Sequence, residues 1–360
     1  MAWIVNTWSS LVGWVSFHLV APVLQYLHLQ QDPSEVAEAS IITLLQLSII
    51  AFIFRPLEDV APVEQWDNRK ATRIDRLYTV LMLLGVFPLF SYAFIAPISN
   101  WLIGGDVVSG TSESALNLRH LVPWFDSHPL VLFGVYYVLY DLTYYWIHRM
   151  QHLIPWWWAL HSMHHSQRQM GCWTNDRTNY LDGAFESIVL AVVSISTGTD
   201  LSDFAWLNLI SELFQDFSHA NVRFGFGPIL ERVLVDPKFH RLHHMQVDPE
   251  RPNLHNCNFG QLFPIWDMIF GTALYGEPPH PTGVGDPIID ADNGRNLFAM
   301  QYYSLRRFWG AISCKAGWRF GDVHFKPDYR PVPVDEPIHA VPKGSVAHEA
   351  LDGASTEGST

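Results

Sequence analysis

The chain has 360 residues, of which 49% are apolar, 14% aromatic and only 16% charged, with 15 tryptophans and a net charge of -13. Soluble domains average about 25% charged residues, so the deficit points to lipid, while the acidic balance argues against nucleic acid as a partner. Cys172, Cys257 and Cys314 form no CxxC pair and no disulfide framework, which excludes a cysteine-stapled fold.

The N-terminus has no basic stretch and no small-residue cleavage site, so no cleavable signal peptide is expected. Residues 1–31, 39–54 and 77–105 contain no Asp, Glu, Lys or Arg, and 129–147 contains only Asp141. A helix needs ~20 mainly apolar residues to cross a bilayer, and the pattern predicts spans near 8–28, 37–54, 78–97 and 129–147. The loop after the second span carries Arg55, Arg69, Lys70, Arg73 and Arg76. The loop around Asp32, Glu35 and Glu38 has no basic residue, and 106–126 has only Arg119. Basic loops stay in the cytoplasm. That rule puts the N-terminus and the end of the fourth span inside, with a bacterial inner membrane favoured over the endoplasmic reticulum.

After the fourth span, Trp156, Trp157 and Trp158 fit an interfacial aromatic belt, with core packing as the alternative. A second apolar stretch, near 184–217, is broken at Thr197–Asp200 and reads as a helical hairpin that dips into the membrane or packs on the cap. Residues 302–319 mix aromatics with Arg306, Arg307, Lys315 and Arg319, as interfacial amphipathic helices do. From about Lys326 the composition is that of a disordered tail. The expected fold is therefore all-α: a multi-pass helical bundle over 1–147, a cytoplasmic histidine-rich cap over 148–275, and a C-terminal segment over 276–360.

The cap holds the chemistry. Its histidines read His148-x3-His152, His161-x2-His164-His165, an isolated His219, His240-x2-His243-His244 and a last His255. Residues at i, i+3 and i+4 share a helix face, so three helices can turn imidazoles toward a common point. Neutral imidazole is the commonest protein metal ligand, and the clustered histidines are too many for one ion. Two metals, and hence redox chemistry, are expected. A core histidine is the ordinary reading of any one of them alone, but not of three clusters with this spacing. A zinc protease would need a Glu in the HExxH position, and His148-Arg149-Met150-Gln151-His152 has none; hydrolytic zinc sites also use about three protein ligands. Asp141, two turns before His148, could orient a ligand or simply face the bundle, and Asp216 and Asp236 are weaker candidates for the orienting role.

The series DLTYYWIHRMQH, LHSMHH, FHRLHH and NFGQLFPIWDMIFGT, over roughly 141–272, resembles the membrane fatty acid hydroxylase and sterol desaturase superfamily. The resemblance implies a non-haem centre of two iron ions that activates dioxygen for attack on a lipid C–H bond. It also implies an external electron donor, ferredoxin-like or cytochrome b5-like with its reductase. Carried onto this sequence, it makes ligands of His148 and His152, of His161, His164 and His165, of His219, and of His240, His243 and His244. Many members have Arg-x-His-Pro-Leu-Glu after the second box. Here the stretch is Arg177-Thr178-Asn179-Tyr180-Leu181-Asp182, so Asn179 stands in the histidine position. His255 could replace that ligand or be a surface loop residue. Hydroxylation is favoured, with desaturation as the alternative; a histidine-rich metal-binding or transport protein is the reading of another class, and is disfavoured because the spans are nearly free of ionisable groups.

Overall fold

The computed structural model describes residues 2–28, 32–66, 69–85, 116–199, 201–247, 251, 254 and 256–313. Among these residues every extended element is helical and none is a β-strand. His255, most of the span expected near 78–97, and the tail from Cys314 onward lie outside the described residues.

The chain forms two compact units, 1–53 and 54–360. The first holds α1 (Ala2–Val15), a π-helical stretch Ser16–Val20, α2 (Ala21–Tyr26) and α3 (Pro33–Ile49). Asp32 caps α3 by accepting from the Ser34 N–H at 2.7 Å, and Pro33 occupies the first turn, where a missing N–H costs nothing. The Trp8 indole donates to Glu38 at 2.8 Å, which gives the acid on α3 a partner within this unit.

The second unit contains α4 (Arg55–Val60), α5 (Thr72–Leu83), α6 (Leu118–Leu121), α7 (Pro129–Leu153), α8 (Pro155–His165), α9 (Tyr180–Thr197), α10 (Leu201–Ser218), α11 (Gly227–Leu230), α12 (Pro237–His243), α13 (Ile265–Phe270), α14 (Pro287–Asp290) and α15 (Leu297–Ile312). Among the described residues, four helices are long and apolar enough to cross a membrane: Asn6–Tyr26, Pro33–Val60, Pro129–Leu153 and Tyr180–Thr197. The last of these differs from the sequence expectation, which read this segment as half of a hairpin that dips into the membrane or packs on the cap. The helix begins at Tyr180 rather than near 184, and those residues supply the missing length. Its end is where the sequence break predicts: Gly198 takes φ +75° as the left-handed C-cap.

Prolines set the starts of the helices that carry the histidine boxes. Pro129, Pro155 and Pro237 each open a helix. Ile154, before Pro155, is extended (φ -95°, ψ 118°), which ends α7 and lets the chain turn directly into α8. α8 is buried along almost its whole length, including Ala159, Leu160 and Met163. α15 packs along it, with Ser304 donating to the Ala159 carbonyl at 3.3 Å. Phe298, Tyr302 and Trp309 stay exposed on the outer side of α15. The tryptophan run is a correction to the aromatic-belt reading. Trp157 and Trp158 are buried, and the Trp157 N–H donates to Asp182 at 2.7 Å, so this part of the run supports the cap from within.

Candidate metal centre

Nine histidines converge in the second unit as two groups: His148, His152, His161, His165 and His243 in one, His164, His219, His240 and His244 in the other. Within each group the ligand nitrogens lie within 4.8 Å of one another, and every residue is buried. The division follows helix geometry. The i, i+4 pairs 148/152, 161/165 and 240/244 each stay together on one face, while His164 and His243 point across to the group built by the other box. The groups adjoin: the His165 ring stacks on His244 with centroids 4.2 Å apart.

Hydrogen bonds fix which nitrogen faces inward. Nδ1 of His148 lies 2.9 Å from the Phe259 carbonyl, Nδ1 of His243 2.7 Å from that of Cys257, and Nδ1 of His219 2.7 Å from that of Gln215. A carbonyl only accepts, so each Nδ1 carries the proton and each Nε2 is left as a bare lone pair. Nδ1 of His161 faces the Asp182 carboxylate at 3.0 Å with the same result. Nε2 of His219 is then 3.1 Å from Nε2 of both His164 and His240. Nε2 of His161 and of His244 are buried without a partner. Lone pairs gathered this closely repel one another unless a cation sits among them, so the donor set fits metal ions bound through Nε2. Burial, reinforced by the neighbouring rings, holds His164, His165, His240 and His244 well below the ordinary imidazole range, and burial brings His219 down to about 4. All five are neutral at pH 7, the form that ligates.

The two candidates beyond the box histidines are placed elsewhere. Asn179 is in neither group. It is the N-cap of α9, accepting from the Leu181 N–H at 2.9 Å and donating to the Gln301 carbonyl at 3.3 Å. Asp141 does not touch a histidine. It accepts from the main-chain N–H of Leu262 (2.9 Å) and Phe263 (3.2 Å) and from the Trp266 indole (2.8 Å). It thereby fixes the loop whose Phe259 carbonyl holds His148, and Asp267 fixes the same loop through the N–H groups of Phe259 and Gly260. Gly260 is required there, because a Cβ would stand 2.8 Å from Asp267 and 2.9 Å from the Phe263 carbonyl. Asp236 caps α12 through the Phe239 N–H, and Asp216 accepts from Asn175.

The carboxylate that does reach a box histidine is Asp182. It receives Trp157 and Gln151 on Oδ1 (2.7 and 2.9 Å) and His161 on Oδ2. The spacing rule missed it because it searched along α7, whereas the contact comes across from the first turn of α9. Its one sequence signal is its place at the acidic end of the Arg177–Asp182 stretch. Arg177 was also unassigned. Fully buried, it ties the end of α8 together by donating to the Met163 carbonyl (3.1 Å), Ser166 (2.8 Å) and Asp75 (2.9 Å). Arg241, between His240 and His243, pairs with buried Glu64 at 2.6 Å and anchors α12.

Among the described residues, helices of spanning length and two adjoining all-imidazole groups are the features of a membrane protein whose histidine clusters are compatible with a metal site. Residues 133–272 match the fatty acid hydroxylase family model. The chain is similar to an ornithine lipid hydroxylase of Rhizobium tropici, 28% identical over 178 residues, 49% of this chain and 51% of that protein. It is also similar to an alkylglycerol monooxygenase of Xenopus tropicalis, 30% identical over 154 residues (41% of this chain, 33% of that protein). A very-long-chain aldehyde decarbonylase of rice is 26% identical over 182 residues (46% and 26%). The matched region spans about half the length of the first of these relatives and less of the others. No solved structure matches.

Proposed function

We propose that the protein is a membrane-bound non-haem di-iron oxygenase that hydroxylates a lipid C–H bond, RH + O2 + 2e⁻ + 2H⁺ → ROH + H2O. The observation that carries this reading is the convergence of nine buried imidazoles into two adjoining groups. A zinc hydrolase has no use for so many ligands. A metal transporter would place its ligands along the spans, whereas most of these histidines lie on helices beyond the fourth expected span. When bound, the two irons would supply the one-electron chemistry that dioxygen needs and amino-acid side chains lack. The chain's own residues hold the rings in one tautomer through Asp182 and the 257–263 loop, and bury the site away from bulk water. The names of the relatives, a lipid hydroxylase and a monooxygenase, favour hydroxylation over desaturation.

The electrons are proposed to come from a ferredoxin-like or cytochrome b5-like carrier on the cytoplasmic side, in a bacterial inner membrane. A reporter fused after Thr360 should then be cytoplasmic and one inserted near Ser112 should lie outside; the opposite pair of results would put the site out of reach of a cytoplasmic reductant. The activity itself is tested by adding reductant and air to the purified protein in lipid. About two irons per chain and a hydroxylated lipid are expected, and turnover by an iron-free preparation would end this reading.

A further inference from the structure

His219 stands one residue past the end of α10, and the residues that follow it form no helix. Yet it is the hub of the second histidine group, with its Nε2 3.1 Å from Nε2 of both His164 and His240. The bond from its Nδ1 to the Gln215 carbonyl sets the tautomer. What fixes the chain on its other side comes from far away in sequence.

Residues 58–64, which end α4 and run beyond it, pair with the segment after His219. The Val63 N–H donates to the Asn221 carbonyl at 3.4 Å, and the Arg223 N–H to the Ala61 carbonyl at 2.8 Å. The Asn221 side chain makes a two-point contact with the main chain of Glu64, accepting from its N–H at 3.0 Å and donating to its carbonyl at 2.7 Å. The buried Glu58 carboxylate joins three parts of the chain at one place. Its Oε1 accepts from the N–H of Asn221 (2.9 Å) and of Cys172 (2.7 Å), and its Oε2 from Arg69 (2.6 Å). Room for it exists because residue 171 is glycine: a Cβ there would stand 2.9 Å from Oε1. Glu58 lies outside both histidine groups and outside the segment 133–272 that matches the family model.

We propose that Glu58 and Asn221 are positioning residues for His219, and that they hold one metal site of the two. This inference rests on the di-iron reading above. The first group has its own supports: His148 on the Phe259 carbonyl, His161 on Asp182 and His243 on the Cys257 carbonyl. Among the described residues, the hydrogen bonds of Glu58 and Asn221 reach none of these supports. His219 is the one ligand its segment supplies, and both of its close imidazole partners belong to its own group. Removing the Glu58 carboxylate strands two buried main-chain N–H groups and a guanidinium, and the segment must shift to find new partners. His219 shifts with it. The second group then loses its shared corner while the first keeps its rings.

The test titrates iron-stripped protein in detergent with Fe(II), without oxygen, and counts the iron retained. Wild type should show two binding steps and hold about two irons per chain. Glu58→Ala and Asn221→Ala should each weaken one step by roughly 10–100-fold and leave the other unchanged. Glu58→Gln keeps an acceptor for the two N–H groups and should fall between alanine and wild type. Double variants identify the weakened site. Adding His243→Ala to Glu58→Ala should remove the remaining iron, whereas adding His164→Ala should remove no more. A general loss of stability would weaken both steps together, and that result overturns the proposal. So does an unchanged titration in both alanine variants, or a further loss of iron on adding His164→Ala. If Glu58→Ala does not fold, Glu58→Gln and Asn221→Ala carry the same test. Failure of the oxygenase reading would look different: wild type that holds two irons but oxidises no lipid under air and reductant overturns that reading alone, and wild type that never holds two irons overturns both.

Discussion

His243→Ala and His164→Ala are expected to remove iron from different groups. His243 belongs with His148, His152, His161 and His165, while His164 belongs with His219, His240 and His244. Each variant should fall from about two irons per chain to about one and lose lipid turnover. Combining the two should remove the remaining iron. The reason is geometric. Each residue comes from a helix whose other box histidines include an i, i+4 pair in the opposite group, so each deletion opens one coordination sphere and leaves the neighbouring one intact. Iron analysis with a spectroscopic count of the iron sites in each variant checks this. If either single variant loses both irons, the two groups are not separate sites, and their division in the structure has no chemical meaning.

Asp182→Ala should have the second largest effect, and should exceed that of Asp141→Asn. Asp182 receives His161, Trp157 and Gln151 at 3.0, 2.7 and 2.9 Å. Its removal strands those three buried donors, at about 1–3 kcal/mol each, and frees the His161 ring to rotate or change tautomer. Iron affinity should fall by roughly 10–100-fold, the usual effect of losing the partner of a ligating imidazole. Asp182→Asn keeps one acceptor oxygen and should fall between alanine and wild type. Asp141→Asn acts one step further away, through the loop that carries the Phe259 carbonyl, so it should keep most of its iron while activity drops. Iron content and lipid product are read for all three variants at matched protein levels. Full activity in Asp141→Asn would mean that Asp267 alone holds the loop; full iron in Asp182→Ala would remove Asp182 from the site.

The box histidines were legible because a ligand cluster on a helix leaves a local signature. The spacings 148/152, 161/164/165 and 240/243/244 follow from 3.6 residues per turn and need no tertiary information. Three of the helices of spanning length, Asn6–Tyr26, Pro33–Val60 and Pro129–Leu153, were legible for a similar reason, since a run nearly free of charged residues reports its own solvent, whereas Tyr180–Thr197, with Asp182 and Glu186 near its start, was read as half of a hairpin. The all-helical class followed from these two patterns together.

What no local pattern contained was the assignment of partners across the chain. Asp141 has the better sequence claim to a histidine, lying two turns before His148 on one helix, yet its carboxylate is taken by the N–H groups of Leu262 and Phe263. Asp182 has no such claim, and it meets His161 only because α9 packs against α7 and α8. Asn179, which occupies a ligand position by motif, was drawn instead to an orphan helix N–H, a local competition that Asn wins readily. The separation of nine imidazoles into five and four is likewise tertiary, because it depends on the rotation of each helix about its own axis as well as on which residues share a face. Sequence by itself determined which residues are histidines on helices in a lipid setting. The packing of α7, α8, α9 and α12 decided which nitrogen faces which, because a hydrogen-bond partner is selected by position in space and the chain brings those positions together only after it folds.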